Sequence, residues 1–204
     1  MSLDGFVAGP RQSVENPLGI DGTRLHEWVF PLQVWRAMHD MPGGEVNASS
    51  LVVEESLANI AATVMGRNMF GGHPGPGRQD APWNGWWGNN PPFHHSVFVL
   101  THHPRAPLVL DGGTTFTFVT EGIHAALERA RNAAAGRDVA LAGGARAAAQ
   151  YLAAGLVDEM EISLVPTLLG AGERLFDGVD DLHGLQLERT VAAPQVTHLR
   201  FARR

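Results

Sequence analysis

From Ser96 to Ala154 short β-branched runs alternate with alanine-rich helical windows, and this alternation narrows the fold more than any other feature. Thr115–Val119 reads as a strand. After Thr120, Ile123, Ala126, Leu127, Ala130 and Ala134 fall on one helical face, and the window closes on Gly136 as a C′ glycine. Asp138 to Ala142 reads as a buried strand, Gly143-Gly144 turns the chain, and a helix over Ala145–Ala154 stops at Gly155. Parallel strands need crossover helices, so this order predicts an α/β fold with a mainly parallel central sheet.

The flanks fit that frame. Ser96–Thr101 is a clear strand halted by His102-His103-Pro104, and Leu108–Leu110 is a shorter one. Upstream, Ser49 or Ser50 is expected to cap a helix with Glu54 and Glu55 in its first turns. Val53, Leu57, Ile60 and Ala61 recur along it at helical spacing, and Val64-Met65 ends a buried strand. Glu159 to Val165 alternates and meets Pro166. The tail segments Gly184–Arg189 and Gln195–Ala202 have no helix between them, so they are expected as an antiparallel hairpin at one edge. Arg11 to Gly44 reads as a long surface excursion, with an amphipathic piece from Leu25 to Met38. The Gly- and Pro-rich stretch from Gly71 to Pro92, with Trp83, Trp86 and Trp87, reads as a wall or lid that is half core and half cleft. A strand leading into the Asp4-Gly5 turn would be cut short, which points to a beginning upstream of Met1 or a misassigned start.

Composition excludes several chemistries. At 204 residues, 44% hydrophobic and 18% charged, with net charge −6 and no basic run, the chain is expected to be one domain over 1–204 that binds no nucleic acid and spans no membrane. No secretory leader is legible, so the cytoplasm is the default location. The absence of cysteine removes disulfides, thiolate nucleophiles and Cys-ligated zinc. All 15 basic residues are arginine, which removes Schiff-base and P-loop lysine chemistry. An anionic ligand must therefore be held by arginine, backbone N–H groups or a helix N-terminus.

Three strand ends supply such groups. Gly143-Gly144-Ala145-Arg146 opens a helix after a strand, where unpaired N–H groups and the helix dipole suit a phosphate; the plainer reading is a tight turn. Gly66-Arg67-Asn68 follows another strand, with a solvated arginine as the alternative. Thr101-His102 follows a third, where a polar loop would also suffice. His73, His94-His95 and His102-His103 invite a metal, but adjacent histidines on a strand face opposite ways and no paired carboxylates accompany them, so none is expected.

Taken in order, Ser2-Leu3-Asp4-Gly5-Phe6-Val7-Ala8, Met65-Gly66-Arg67, Val99-Leu100-Thr101, Ala142-Gly143-Gly144, Gly155-Leu156-Val157-Asp158-Glu159, Leu164-Val165-Pro166 and Leu169-Gly170-Ala171-Gly172 resemble the dihydrofolate reductase-like superfamily. The resemblance is to proteins related to the C-terminal reductase domain of the bifunctional riboflavin biosynthesis enzyme, and it spans nearly the whole chain. It implies a dihydrofolate reductase-like three-layer α/β fold and NADPH bound across the carboxyl edge of the sheet. By motif position, Gly66, Arg67, Asn68, Thr101 and His102 would take the adenosine side with its 2′-phosphate. Gly143, Gly144, Ala145 and Arg146 would take the pyrophosphate, and the Val7-Ala8 backbone the nicotinamide carboxamide.

For proton delivery the family's folate enzymes use a carboxylate near the start of the first helix, where Glu54 lies; facing a partly apolar cleft it would act as a general acid. The plainer reading is an acid favouring the helix dipole. Asp4 is the rival, although Asp-Gly is first a turn signal. The long Arg11–Gly44 insertion and the tryptophan segment depart from the family where a substrate would be bounded. The expectation is therefore an NADPH-dependent reductase of a small heterocyclic or carbonyl/imine substrate, acting as a homodimer; the alternative is a dinucleotide-binding module without turnover.

Overall fold

The computed structural model describes residues 1–71 and 83–204. In chain order the elements are β1 (Phe6–Ala8), α1 (Gln33–Met38), α2 (Ala48–Leu57), β2 (Ile60–Gly66), α3 (Arg67–Gly71), β3 (Ser96–Leu100), β4 (Leu108–Val109) and β5 (Thr115–Val119). They continue with α4 (Ile123–Ala134), β6 (Asp138–Leu141), α5 (Ala145–Ala153), β7 (Glu159–Leu164), β8 (Glu173–Arg174), β9 (Leu185–Ala193) and β10 (Val196–Arg203). The chain divides into two compact units, Met1–Ala58 with Ala149–Arg204 and Asn59–Ala148, the division falling inside α5.

The second unit holds the five-stranded sheet, in the order β4-β5-β3-β2-β6. β2, β3, β5 and β6 are parallel, and β4 pairs antiparallel with β5 at one edge. Ala61 through Met65 are all buried, as suits a strand covered on both faces. α4 lays Ala126, Ala130 and Ala134, each at most 1% exposed, against the sheet, and Ala135 and Gly136 leave the helix with positive φ. Around Met65, Phe70, Val97, Val99 and Phe116 pack Trp83, Trp87, Phe93 and Phe118, so two of the three tryptophans serve the core. The rest of the expected wall, residues 72–82 with His73, lies outside the described residues.

The first unit is built on the antiparallel sheet β7-β10-β9, and the expected C-terminal hairpin is its β9–β10 pair. α2 packs on it through Ser49 and Glu55. His198 on β10 is 1% exposed; its Nε2 lies 2.9 Å from Ser49 Oγ and its Nδ1 3.0 Å from Ser163 Oγ. Trp28 meets the His198 ring edge-on at 4.9 Å. Among the described residues no helix is long and apolar enough to cross a membrane.

Four local expectations change. The α2 cap is Asn47, whose Oδ1 accepts from the Ser49 N–H while the Ser50 hydroxyl accepts from the Asn47 N–H, so the helix starts earlier than Ser49 or Ser50 implied. Ile60 and Ala61 belong to β2, because their apolar run pairs with β6 instead of continuing the helix. β6 is an edge strand with Asp138 exposed and Val139–Leu141 half-buried, not a buried one. The Arg11–Gly44 excursion is not wholly superficial: Leu32 is 0% exposed, and Leu25 joins Val165 and Val196 in the core of its unit.

Burial holds the His198 pKa below its ordinary value, with the Arg189 charge adding to the effect. The folded state thus binds this proton less readily than the unfolded chain, so the stabilisation is present above the unfolded value of about 6.5 and is lost as pH falls below it. His26 and His95 are shifted the same way by burial. The melting temperature should therefore fall between pH 7 and pH 5. His198→Gln, which keeps hydrogen-bonding atoms but cannot take the proton, should fall less steeply over that window. Parallel slopes for the two proteins would remove His198 from the pH dependence.

Candidate functional site

In the second unit the parallel register sets Gly66 beside Leu100, and Val64 beside Leu141. The chain therefore leaves β2, β3 and β6 at the carboxyl ends of three neighbouring strands. This edge brings together Gly66, Arg67 and Asn68, then Thr101 and His102, then Gly143, Gly144, Ala145 and Arg146. It is the place where an open parallel sheet receives ligands.

The glycines there have separate roles. The Gly66 N–H donates to the Gly143 carbonyl at 2.6 Å, and a Cβ on Gly66 would lie 3.1 Å from the Ala147 Cβ. Gly66 thus packs the end of β2 against the first turn of α5, and its N–H is already engaged. Gly143 has φ 100, the peptide joining it to Gly144 is cis, and a Cβ on either glycine would meet nothing within 4 Å. Gly144 lies outside the left-handed region, so neither crowding nor a positive φ requires glycine there. The N–H groups of Gly143, Gly144 and Ala145 find no acceptor among the described residues, while the Gly144 carbonyl accepts from Ala147 and Ala148 to begin α5. Backbone donors without acceptors at a helix N-terminus suit an anion.

Arg67 is half-buried, and desolvation lowers its pKa from the ordinary arginine value; Asn68 is exposed at the start of α3. Thr101 donates its N–H to the Val119 carbonyl at 3.0 Å and accepts the His103 N–H on its hydroxyl oxygen at 3.1 Å, which leaves the hydroxyl proton to donate elsewhere. His102 and Arg146 are exposed.

Two neighbours at this edge were not anticipated. Arg105 donates to the Trp83 carbonyl at 2.5 Å and to Asn84 Oδ1 at 3.2 Å, with its guanidinium 5.0 Å from the Phe118 ring centre. It fixes the described part of the tryptophan segment; the available signal was an arginine just past Pro104 in a chain with an aromatic loop to anchor. Glu121, after β5, accepts the N–H and hydroxyl of Thr120 and pairs with Arg129. An acid two positions beyond a strand end, with an arginine two helical turns on, was its signal.

The remaining predicted residues belong to the first unit. Val7 and Ala8 lie in β1, where Ala8 pairs with Glu173 of β8. Glu54 is in the second half of α2 and exposed, so neither a place in the first turn nor an apolar setting is found for it; the earlier Asn47 cap moves it along the helix. Its neighbour Glu55 pairs with Arg189 at 2.5 Å. Asp4 accepts the Leu169 N–H at 3.2 Å and the Gly170 N–H at 2.7 Å. Its pKa is lowered to about 2 by the Ser2 hydroxyl and then by the Gly170 and Leu169 N–H groups, so it is an anion at neutral pH and a poor proton donor.

Of the histidines considered for a metal, His94 Nδ1 faces the Gly112 carbonyl at 2.9 Å and His95 Nε2 faces Thr63 Oγ1 at 2.8 Å. Among the described residues no three His, Asp or Glu side chains gather as a metal would require.

The family model for the RibD C-terminal domain matches residues 1–199. No curated protein matches the chain. A putative riboflavin biosynthesis protein from Shewanella sp. PV-4 is similar in structure, with TM-score 0.60 and 20% identity over 100% of this chain and 95% of that one. A diaminohydroxyphosphoribosylaminopyrimidine deaminase/5-amino-6-(5-phosphoribosylamino)uracil reductase from Thermotoga maritima has TM-score 0.54 and 13% identity over 99% of this chain and 54% of its own. Acinetobacter baumannii RibD has TM-score 0.53 and 18% identity over 98% and 55%. The chain spans about half the length of these last two proteins. Likeness at this identity bears on the fold, and it bears out the expected mixed α/β class with a mostly parallel sheet and an antiparallel sheet.

The two kinds of glycine should separate on substitution. Gly66→Ala crowds Ala147 and should cost about 1–3 kcal/mol, the usual range for overpacking. Gly144→Ala meets open space and should stay within about 0.5 kcal/mol of wild type. Denaturant melts of the two variants check this, and wild-type stability in Gly66→Ala would refute the close approach.

Proposed function

Because the chain belongs to the RibD C-terminal domain family, we propose that it is an NADPH-dependent oxidoreductase reducing a small heterocyclic or carbonyl/imine substrate. The observation that carries this reading is the Gly143-Gly144 turn, with backbone donors lacking acceptors and open space where side chains would stand. That is a cradle a phosphate fits, in a chain with no lysine to hold one.

In this reading Gly143, Gly144, Ala145 and Arg146 hold the pyrophosphate. Arg67 and Asn68, with Thr101 and His102, hold the adenosine side and its 2′-phosphate, and Gly66 keeps the two loops together. Val7 and Ala8 would present backbone groups to the carboxamide. The dinucleotide, when bound, supplies hydride; the chain supplies anchoring and orientation. Glu54 is the carboxyl proposed to move a proton to the substrate. The match over 1–199 takes in residues of both units and supports reading 1–204 as one functional domain. Leu3 and Leu168, 57% and 64% exposed, with the Leu3 N–H on the carbonyl of Thr167 next to Leu168, offer apolar surface for the second copy of a homodimer. A cytoplasmic setting completes the proposal.

A second reading, a dinucleotide-binding module without turnover, is favoured by one observation: the Asp4 carboxylate is taken by backbone N–H groups and Glu54 is exposed. NADPH binding with no oxidation across a panel of carbonyl and imine compounds would decide for it.

NADPH should bind more tightly than NADH in a titration. Arg67→Ala should weaken NADPH by about 1.5–3 kcal/mol, the worth of a charge-assisted contact, and leave NADH little changed. Equal losses for both would move Arg67 away from the 2′-phosphate. Gly144→Val should lose NADPH while keeping its melting temperature; retained binding would sink the phosphate assignment.

If Glu54 donates the proton, Glu54→Gln should keep NADPH affinity and lower turnover by about 10²–10⁴. The wild-type rate should fall as pH rises through the pKa of the donor. Unchanged turnover and pH profile in Glu54→Gln would leave water as the donor.

A further inference from the structure

Asp4-Gly5 is a turn signal in the sequence, yet the Asp4 carboxylate serves more than its own turn. The Ser2 N–H donates to the Phe6 carbonyl at 2.9 Å, the Phe6 N–H donates to Ser2 Oγ at 2.9 Å, and the Gly5 N–H donates to the Ser2 carbonyl at 3.1 Å. Gly5 adopts φ 86, as a tight turn demands. Backbone bonds and the Ser2 hydroxyl thus form the turn, and the Asp4 carboxylate, beside that hydroxyl, also reaches a segment 165 positions away. There each oxygen takes one N–H, Oδ1 from Leu169 and Oδ2 from Gly170.

Residues 167–175 run along the first strand and are tied to it repeatedly. The Leu3 N–H meets the Thr167 carbonyl at 2.9 Å, β8 pairs with β1, and the Leu175 N–H meets the Gly5 carbonyl at 3.4 Å. Between these ties Gly172 has φ 136, and a Cβ on it would lie 2.0 Å from the Ala8 carbonyl oxygen. The loop therefore rides directly on the Ala8 backbone, and only glycine permits it. Burial holds little of it: Leu168 and Gly170–Gly172 are exposed, and Leu169 alone packs on the apolar cluster. The Asp4 carboxylate gives this stretch two side-chain hydrogen bonds, and they are of the strong, ionised kind.

We infer that Asp4 is a positioning residue, whose carboxylate holds Leu169 and Gly170 so that the loop stays seated on Ala8 and fixes the Val7–Ala8 backbone. Its consequence for turnover rests on the proposed reductase reading, in which that backbone orients the reacting ring. The clamp itself does not. The lowered pKa fits this role, since the carboxylate stays an acceptor through neutral pH.

Asp4→Asn keeps one acceptor oxygen and loses the other. Hydrogen exchange on the full chain should be about tenfold faster in peptides covering 5–9 and 167–172 and unchanged in β2, β3 and β5, whereas unchanged exchange at 167–172 would overturn the clamp. With the first panel compound that wild type reduces, kcat should fall about 10- to 100-fold with NADPH affinity within about threefold, the pattern of misplaced geometry. The alkaline limb of the pH–rate profile should stay where it is; its loss would make Asp4 the proton donor and overturn the inference. Should Asp4→Asn not fold, NMR titration of the wild type decides: Leu169 and Gly170 amide shifts that follow the Asp4 carboxyl titration agree with the two N–H contacts, and shifts indifferent to it refute them. Should wild type reduce nothing, the reductase reading fails, while exchange and titration still decide the clamp.

Discussion

The hydrogen bond from the Gly66 N–H to the Gly143 carbonyl, 2.6 Å long, governs the geometry of the proposed phosphate site. It continues the β2–β6 pairing one step past the last paired residues, after the Ala142 N–H has met the Val64 carbonyl. The turn that opens α5 is thereby fixed against the end of β2 and cannot drift along the sheet edge. Glycine at 66 is the condition for that closeness, because a Cβ would press on Ala147. With the Gly143 carbonyl occupied by Gly66, the N–H side of the Gly143-Gly144 turn is left without an acceptor among the described residues. One internal bond thus divides the turn's polar groups into a bonded half and the half proposed to meet a phosphate.

The first unit depends on a different economy. Its antiparallel sheet is joined to α2 by His198, whose two ring nitrogens each meet a serine hydroxyl from a different element. A buried imidazole is costly unless both nitrogens are satisfied, and here they are. The Arg11–Gly44 excursion contributes Leu25 and Trp28 to the same region, so the long insertion is part of the unit's interior and not a flap upon it. Around this interior the N-terminal residues and the 167–175 stretch hold one another through backbone bonds, the Asp4 carboxylate and the Arg174 guanidinium over the Phe6 ring.

What was legible in the sequence follows the range of the interaction responsible. β5 and α4 agree with the reading at both ends, because alternation, a helical alanine face and a C′ glycine are all local. The cap of α2 was misplaced since Asn47, Ser49 and Ser50 are all good capping residues and residue type alone cannot choose among them. Ile60-Ala61 satisfies both the helical spacing and an apolar strand run, and only pairing with β6 decides. Composition likewise cannot tell an edge strand from a central one, which is why β6 looked buried. Of the residues proposed for the site, the glycine turn and the arginine after β2 were legible because they are strand-end features. The partners of Asp4 were not legible because they lie 165 positions on, and the position of Glu54 along its helix shifts with the cap.

The proposed roles also divide by physical kind. Every residue assigned to a phosphate lies in Asn59–Ala148, where the available forces are charge, strand-end hydroxyls and N–H groups. A helix end contributes about 0.3–1 kcal/mol to an anion, and a charge-assisted contact about 1.5–3 kcal/mol. Arginine therefore outweighs the dipole in setting affinity for a lysine-free chain. The residues assigned to orientation and proton movement lie in Met1–Ala58 and act through position, where a displacement of about 1 Å can cost two orders of magnitude in rate while altering affinity little. Changes in one unit should weaken binding in proportion to charge, and changes in the other should leave binding intact and damage turnover. A substitution that breaks this rule would point to a residue whose assigned role belongs to the other class.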